Sequence, residues 1–495
     1  MRTPYLLLAA ASTLLLANAP VSAIENATSA PAYDFRLIDR KTARPAAIDL
    51  PDTAGYSLQS VRAMMPKAAK PRIRMAAADD LPHLRSFAKQ APGSRQAIVV
   101  AEGVATLDDV LAAAGGASAE RDGGAVVLRR PLLVMPGAHL VVDGRRTPWL
   151  KLDTAAGAYL VNGGGLWIVE AKVTSWDAEA GAPSPASDSF RPFIAAWGGS
   201  RTYVAGAELA SLGYPAAKSY GLTLSTGPGK GGAAPTGWVV ESRLSDNHYA
   251  IYTHGAQDAA FVGNDIYDNI RYGIHPHSGS TGLIIARNTI TDTLDGHGIG
   301  LSRAVTNSLV FENHVADSAG YGVMIDRDSR QNVVAHNSVR RNRGDGISVL
   351  ESTGNVLFAN DVSSSGRSGI RLRNAAETAL LENAIKGSRK DAVRGEASAV
   401  IDSQRDLALD PVRPILSATV EGNKLSDNLR SGLNLKNFTE LRLGRNEFGA
   451  YDSSPFAGAL AALHADLYGS VVEAEPAGEV VVSPSFGGVL PASLD

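Results

Sequence analysis

One phrase anchored on Asn recurs through the second half of this 495-residue chain and constrains the fold more than any other feature. The anchors are Asn264, Asn288, Asn313, Asn337, Asn360, Asn383, Asn423 and Asn446, at spacings of 24, 25, 24, 23, 23, 40 and 23 residues. Roughly nine residues after each anchor comes a small residue followed by an aliphatic, as in Gly273-Ile274, Gly298-Ile299, Gly322-Val323, Gly346-Ile347, Gly369-Ile370, Ala392-Val393 and Gly432-Leu433. A fixed period in the low twenties marks one supersecondary unit stacked on copies of itself. The units are rich in Val, Ile, Asn and Gly and hold no apolar stretch long enough for paired helices. That excludes helical solenoids and predicts an all-β fold, a right-handed parallel β-helix whose coils rise about 4.8 Å each. Because a solenoid grows by adding coils, the length needs no division into several globular units.

The formal net charge is -3 and no basic run occurs, which argues against a nucleic-acid partner. Cysteine is absent, so disulfides, thiol nucleophiles and thiolate metal sites do not arise. Residues 1–23 read as a secretory signal: Arg2 gives the positive start, Leu6 to Leu16 the apolar core, and Val21-Ser22-Ala23 the small-residue end. That apolar run is too short for a membrane span, and no later segment qualifies. The expected product is exported without membrane insertion, which in a Gram-negative cell means the periplasm.

Residues 24–95 read as a lead-in and cap, 96–450 as the β-helix, and 451–495 as a C-terminal cap. In the lead-in, Leu81 to Gln90 is the best helix candidate, after the Asp79-Asp80 start signal; in the C-terminal cap, Ser454 to Leu467 has helix-like composition. The Gly-rich stretch from Ser225 to Thr236 lacks the Walker spacing and reads as a surface loop. The 40-residue interval between Asn383 and Asn423 exceeds an ordinary 23-residue coil by 17, which places an insertion near Gly395 to Pro414.

Aligned on the Gly-aliphatic step, the first and third following positions are apolar and face inward by period-two alternation. The second and fourth then face outward: Tyr252 and His254, His275 and His277, Gly300 and Ser302, Met324 and Asp326, Ser348 and Leu350, Arg371 and Arg373. The fifth position holds Ser278, Arg303, Arg327, Glu351 and Asn374. A long polar face of this kind suits an extended polymer, and Arg303, Arg327, Arg371 and Arg373 suit an anionic one, since Arg grips a carboxylate with two parallel hydrogen bonds. The repeated Asn reads as structural: stacked at a coil corner, its amide satisfies backbone groups and the next Asn.

These residues resemble the periplasmic mannuronan C5-epimerases of alginate-producing bacteria. The likeness covers most of the mature chain, through Phe190-Arg191-Pro192-Phe193, Trp197-Gly198-Gly199, Ser211-Leu212-Gly213-Tyr214, Lys218-Ser219-Tyr220-Gly221, Pro235-Thr236-Gly237-Trp238, Asp268-Asn269-Ile270, Tyr272-Gly273-Ile274, His297-Gly298-Ile299 and Ser302-Arg303. The family's Asp-Pro-His-Asp stretch falls on His275-Pro276-His277-Ser278, so both aspartates are replaced. The resemblance implies that His277 is the catalytic base and Arg303 the cation that neutralises the substrate carboxylate. It also implies a place in a periplasmic export assembly.

The implied reaction inverts C5 of a 1,4-linked uronic acid within a polymer, mannuronate to guluronate in alginate. The C5 proton is weakly acidic because its removal adds charge to the neighbouring carboxylate; a fixed cation must offset that charge. Arg303 does so with Arg327 in support, neutral His277 takes the proton, and water or Tyr272 delivers one to the opposite face. His254, His275, Ser278, Ser302, Asp326, Arg327, Arg371 and Arg373 are the expected contacts to the polymer. Ser278 carries no charge with which to strengthen His277, and Asp326 is the nearest compensating carboxylate. Departure of the 4-linked sugar instead would give a uronan lyase, and the lost aspartates equally suit a non-catalytic polysaccharide-binding protein. His254, His275 and His277 could ligate zinc, but they are read as unliganded groove residues. No metal or other cofactor is expected.

Overall fold

The computed structural model describes residues 33–38, 48–93, 95–216, 218–227, 232–399, 405, 412–449, 451, 454–468 and 479–484. The leader read at residues 1–23 and most of the inserted segment lie outside them. Among the described residues the chain winds through three sheets, two of 15 strands and one of 14. Each strand in the body of a sheet pairs in parallel with those one coil before and one coil after: Tyr272–His277, for example, lies between Tyr249–His254 and His297–Ser302. This is the expected parallel β-helix.

The alternation predicted for the repeat holds. Ile274, Ile299, Leu301, Val323, Ile325, Ile347, Val349, Ile370 and Leu372 all enter one continuous apolar core enclosed by the three sheets. Burying one such side chain is worth roughly 1.5–3 kcal/mol. A one-residue slip would turn a strand over and forfeit that burial, so the register is tightly fixed.

The Asn anchors form a ladder inside one corner. Asn264 donates from both its backbone N–H and its Nδ2 to Asn288 Oδ1, at 3.0 and 2.9 Å, and its Nδ2 also reaches the Val239 carbonyl at 2.8 Å. The same pattern runs on through Asn423, which donates twice to Asn446. Two shorter ladders, not anticipated from the repeat, occupy the other corners: Asn247 with Asn269, and Ser308 with Asn332 and Asn355.

The Gly of the Gly-aliphatic step is required by close approach. A Cβ at Gly298 would stand 2.3 Å from Val315 Cγ1 and 2.8 Å from the Gly322 carbonyl oxygen. At the other end of the same strands, Ser278, Arg303, Arg327, Glu351 and Asn374 all turn the chain with left-handed backbones, φ 47, 60, 50, 52 and 50°. Such conformations disfavour side chains larger than Gly. Here the inter-coil ladder continues through the turn and holds them, with Ser278 N–H donating to the Ser302 carbonyl at 3.0 Å and Arg303 N–H to the Asp326 carbonyl at 3.2 Å.

Both ends of the stack are closed, as open strand edges demand. At the N-terminal end the helix Leu107–Ala114, started by a Thr106–Asp109 capping box, packs Leu107 and Val110 into the core, and Arg72–Ala77 pairs antiparallel with Gln96–Glu102. The helix expected over 81–90 is a single turn, Arg85–Ala88. At the other end Ala459–Leu463 and His464–Leu467 place Leu460 and Leu467 over the last coil. Strand Tyr33–Ile38 pairs antiparallel with Glu479–Pro484, the last described strand.

Candidate functional site

The expected site residues belong to one sheet. Along it, His254, His277, Ser302, Asp326, Leu350 and Arg373 occupy successive rungs of a single column. Arg303 follows Ser302 at the turn, so His277 and Arg303 share one ledge on adjacent coils. Arg303 is exposed and has no ion pair among the described residues.

His277 is only partly open to solvent, and its Nδ1 lies 2.6 Å from Ser278 Oγ. When Nδ1 carries the proton and donates to Ser278, Nε2 is left as the free basic nitrogen. Burial, then Arg303, His254 and Arg327, lowers the imidazole pKa to about 4. All of these influences oppose protonation, and no carboxylate is among them. Asp326 does not supply the compensation expected of it: it hydrogen-bonds Ser302, and burial raises its own pKa. His254 stacks one rung away from His277, with ring centroids 6.4 Å apart and planes 17° apart.

The second column brings a correction. His275 points away from the core, yet it is 7% exposed and sealed under aromatic neighbours. Its ring stacks on Tyr272 at 4.0 Å and meets Tyr249, Tyr252 and His277 at 5.5, 5.6 and 5.2 Å. It therefore cannot be the polymer contact that the alternation suggested, because tyrosines of this and the preceding coil cover it. Ser302 is similarly closed off, at 5% exposure. Tyr272 is largely buried and its pKa is pushed up to about 12, burial being the main cause. It is a protonated phenol at neutral pH.

Arg371 and Arg373 are also corrected. Arg371 lies 3.4 Å from Glu396, and Arg373 lies 2.8 Å from Glu351, which also binds Arg405. Their charge is balanced within the protein, so they are poor carboxylate receptors. Arg303, which acts on His277, has no such acidic partner among the described residues.

Gly300, placed on the outward face by the alternation, has a role that the alternation did not assign. A Cβ there would meet Tyr272 Cε1 at 3.0 Å and His275 Cδ2 at 3.5 Å, so its bareness gives the stacked pair its space. Its signal was legible, since it alone is Gly among Tyr252, His275, Met324, Ser348 and Arg371 in that column. Among the described residues, no three His, Asp or Glu side chains are disposed to hold a metal ion.

Known proteins share this fold. A family model described as a right handed beta helix region matches residues 232–385. The mannuronan C5-epimerase of Pseudomonas putida is 33% identical over 444 residues, covering 84% of this chain and 85% of that one. Mannuronan C5-epimerase AlgG of Azotobacter vinelandii is 33% identical over 417 residues, 80% of this chain and 79% of that one. The crystal structure of the periplasmic alginate epimerase AlgG superposes with a TM-score of 0.77 at 30% identity, over 84% of this chain and all of that one. Identity at this level across most of both chains, on a shared right-handed β-helix, makes this chain a member of the mannuronan C5-epimerase family.

Proposed function

We propose that this protein inverts C5 of mannuronate residues within polymannuronate, in the periplasm, on polymer in transit through an export assembly. The observation that carries the reading is the presence of His277 and an unpaired Arg303 on adjacent coils of one ledge of the β-helix. Among the described residues, no helix is long and apolar enough to cross a membrane.

In this reading Arg303 binds the carboxylate of the reacting sugar and offsets the second negative charge that develops when C5 loses its proton. His277 Nε2 accepts that proton, with Ser278 holding Nδ1. A proton then reaches C5 from the other face, from water or from the Tyr272 hydroxyl, which regains its own from solvent. The ring configuration is inverted and no glycosidic bond is broken. Bound substrate brings a carboxylate beside His277 and raises its proton affinity at the moment the base is needed. His254 and Arg327 flank this position and extend the contact to neighbouring sugars.

The test is proton NMR of defined mannuronate oligomers in deuterated water. The expected product is guluronate carrying deuterium at C5, with His277→Ala inactive. An unsaturated product would identify a lyase instead, and binding with no change at C5 a polysaccharide-binding protein. Unchanged turnover by His277→Ala would remove His277 from the mechanism.

A further inference from the structure

Lys218 lies outside the repeat, on a tight loop in which Tyr214 N–H donates to the Ser219 carbonyl at 2.9 Å and Ser219 N–H to the Ala216 carbonyl at 3.0 Å. Its backbone is left-handed, φ 65°. From this turn the side chain lies half-buried against the site sheet. The ammonium donates to the Gly227 carbonyl at 3.1 Å and stands 5.6 Å from the centroid of the Trp197 ring. Among the described residues no carboxylate pairs with it, in a chain with more acidic than basic residues. An ammonium has three donors, and one carbonyl leaves two of them for a ligand.

Its place on the sheet is defined by register. Trp197, Ser225, His254 and His277 are successive rungs of the column that carries the site. At about 4.8 Å per rung, Trp197 stands about 14 Å from His277, on the side away from Arg303. The column is closed beyond His254: Ser225 is fully buried, and the Trp197 ring packs against Phe87 of the N-terminal segment, centroids 5.2 Å apart. Lys218 and Arg303 therefore bracket the imidazoles of His254 and His277, and Lys218 is placed at the closed end of the groove. Its charge reaches His254, whose pKa it helps burial to lower.

We propose that Lys218 binds the carboxylate of a uronate two or three sugars away from the reacting one, as an end subsite of the groove. This rests on the epimerase reading above, with Arg303 holding the reacting sugar. Only an oligomer long enough to span both cations engages Lys218, so the subsite sets a minimum length for tight binding.

The experiment measures KM and kcat for a ladder of mannuronate oligomers with wild type, Lys218→Gln and Lys218→Arg. For the longer oligomers Lys218→Gln is expected to raise KM about tenfold, the worth of one charged hydrogen bond, while kcat holds; the shortest reactive oligomers are unaffected. Lys218→Arg restores KM. Should Lys218→Gln fold poorly, wild-type protein is instead acetylated at exposed amines, and polymannuronate, but not neutral mannan, is expected to protect Lys218. An equal KM rise at every length, or no protection, overturns the subsite. Wild type that binds oligouronates without epimerising them overturns the functional reading instead, leaving the protection result to stand alone.

Discussion

Asn337→Ala isolates the asparagine ladder from the chemistry. Asn337 Oδ1 accepts from the backbone N–H and from Nδ2 of Asn313, both at 2.9 Å. Its Nδ2 donates to the Val310 carbonyl at 2.9 Å and to Asn360 Oδ1 at 3.0 Å. Alanine removes all four bonds and leaves the buried Asn313 N–H and Val310 carbonyl without these partners, while the Asn313 amide keeps the Ile285 and Phe311 carbonyls. Each buried orphan costs about 1–3 kcal/mol, so the expected destabilisation is about 2–6 kcal/mol, reduced where a neighbour relaxes. Against the usual total of about 5–15 kcal/mol that is a large share. The corner lies between strands Val333–Ala335 and Ser338–Arg340, both outside the site sheet. Guanidinium denaturation followed by circular dichroism should therefore show the loss, while kcat and KM of the folded variant stay at wild-type values. A loss below about 1 kcal/mol would refute the idea that the ladder holds the coils in register through these bonds.

Four further outcomes follow from the site. Arg303→Gln should cut kcat by about a hundredfold to a thousandfold, as loss of a preorganised charge stabiliser does, with little change in thermal stability because the guanidinium is exposed and unpaired. Ser278→Asp places a carboxylate beside His277 Nδ1 and should move the acid limb of kcat/KM upward from about 4, the value set by burial and by Arg303; an unmoved limb would show that His277 is not the titrating base. Gly300→Ala pushes on the Tyr272 ring from 3.0 Å; misplacement by a few tenths of an ångström predicts a several-fold fall in kcat, measured beside an unchanged circular dichroism spectrum. Stability should also fall on acidification. His248, His277 and His297 have folded-state pKa values lowered to about 4, mainly by burial. The unfolded chain binds more protons between about 6.5 and 4, so each contributes up to about 1.4 kcal/mol of loss per pH unit as pH drops through that window. Asp326 and Asp345, whose pKa values burial raises, act in the opposite sense above their ordinary value. Urea midpoints measured from pH 7 to pH 4 give the net sign.

The coil, its interior and the meeting of His277 with Arg303 were legible because each depends only on repeat spacing and period-two alternation. Both quantities are properties of the chain alone. What lay beyond sequence was coverage. His275 and His277 have the same parity, yet one is sealed and the other partly open, because Tyr249 and Tyr252 of the preceding coil lean over the first. Arg371 and Arg373 looked like substrate cations until Glu396 and Glu351 were found beside them; which acid faces which base across coils depends on rotamers. Lys218 stands in one of the stretches that carry the family resemblance, but no role could be read for it, since it approaches the site sheet from a loop with no place in the repeat. Gly300 could have been found by asking why one column loses its side chain at a single rung.

The pairing of Tyr33–Ile38 with Glu479–Pro484 joins the earliest described strand to the last. The earlier strand is synthesised first, but its partner is made only after all the coils between them. Coils can wind up one after another behind the leading end, while that strand waits for its mate. The stack is then fastened by a clasp of strands from either side of it, and a chain truncated before residue 479 would wind its coils and never lock.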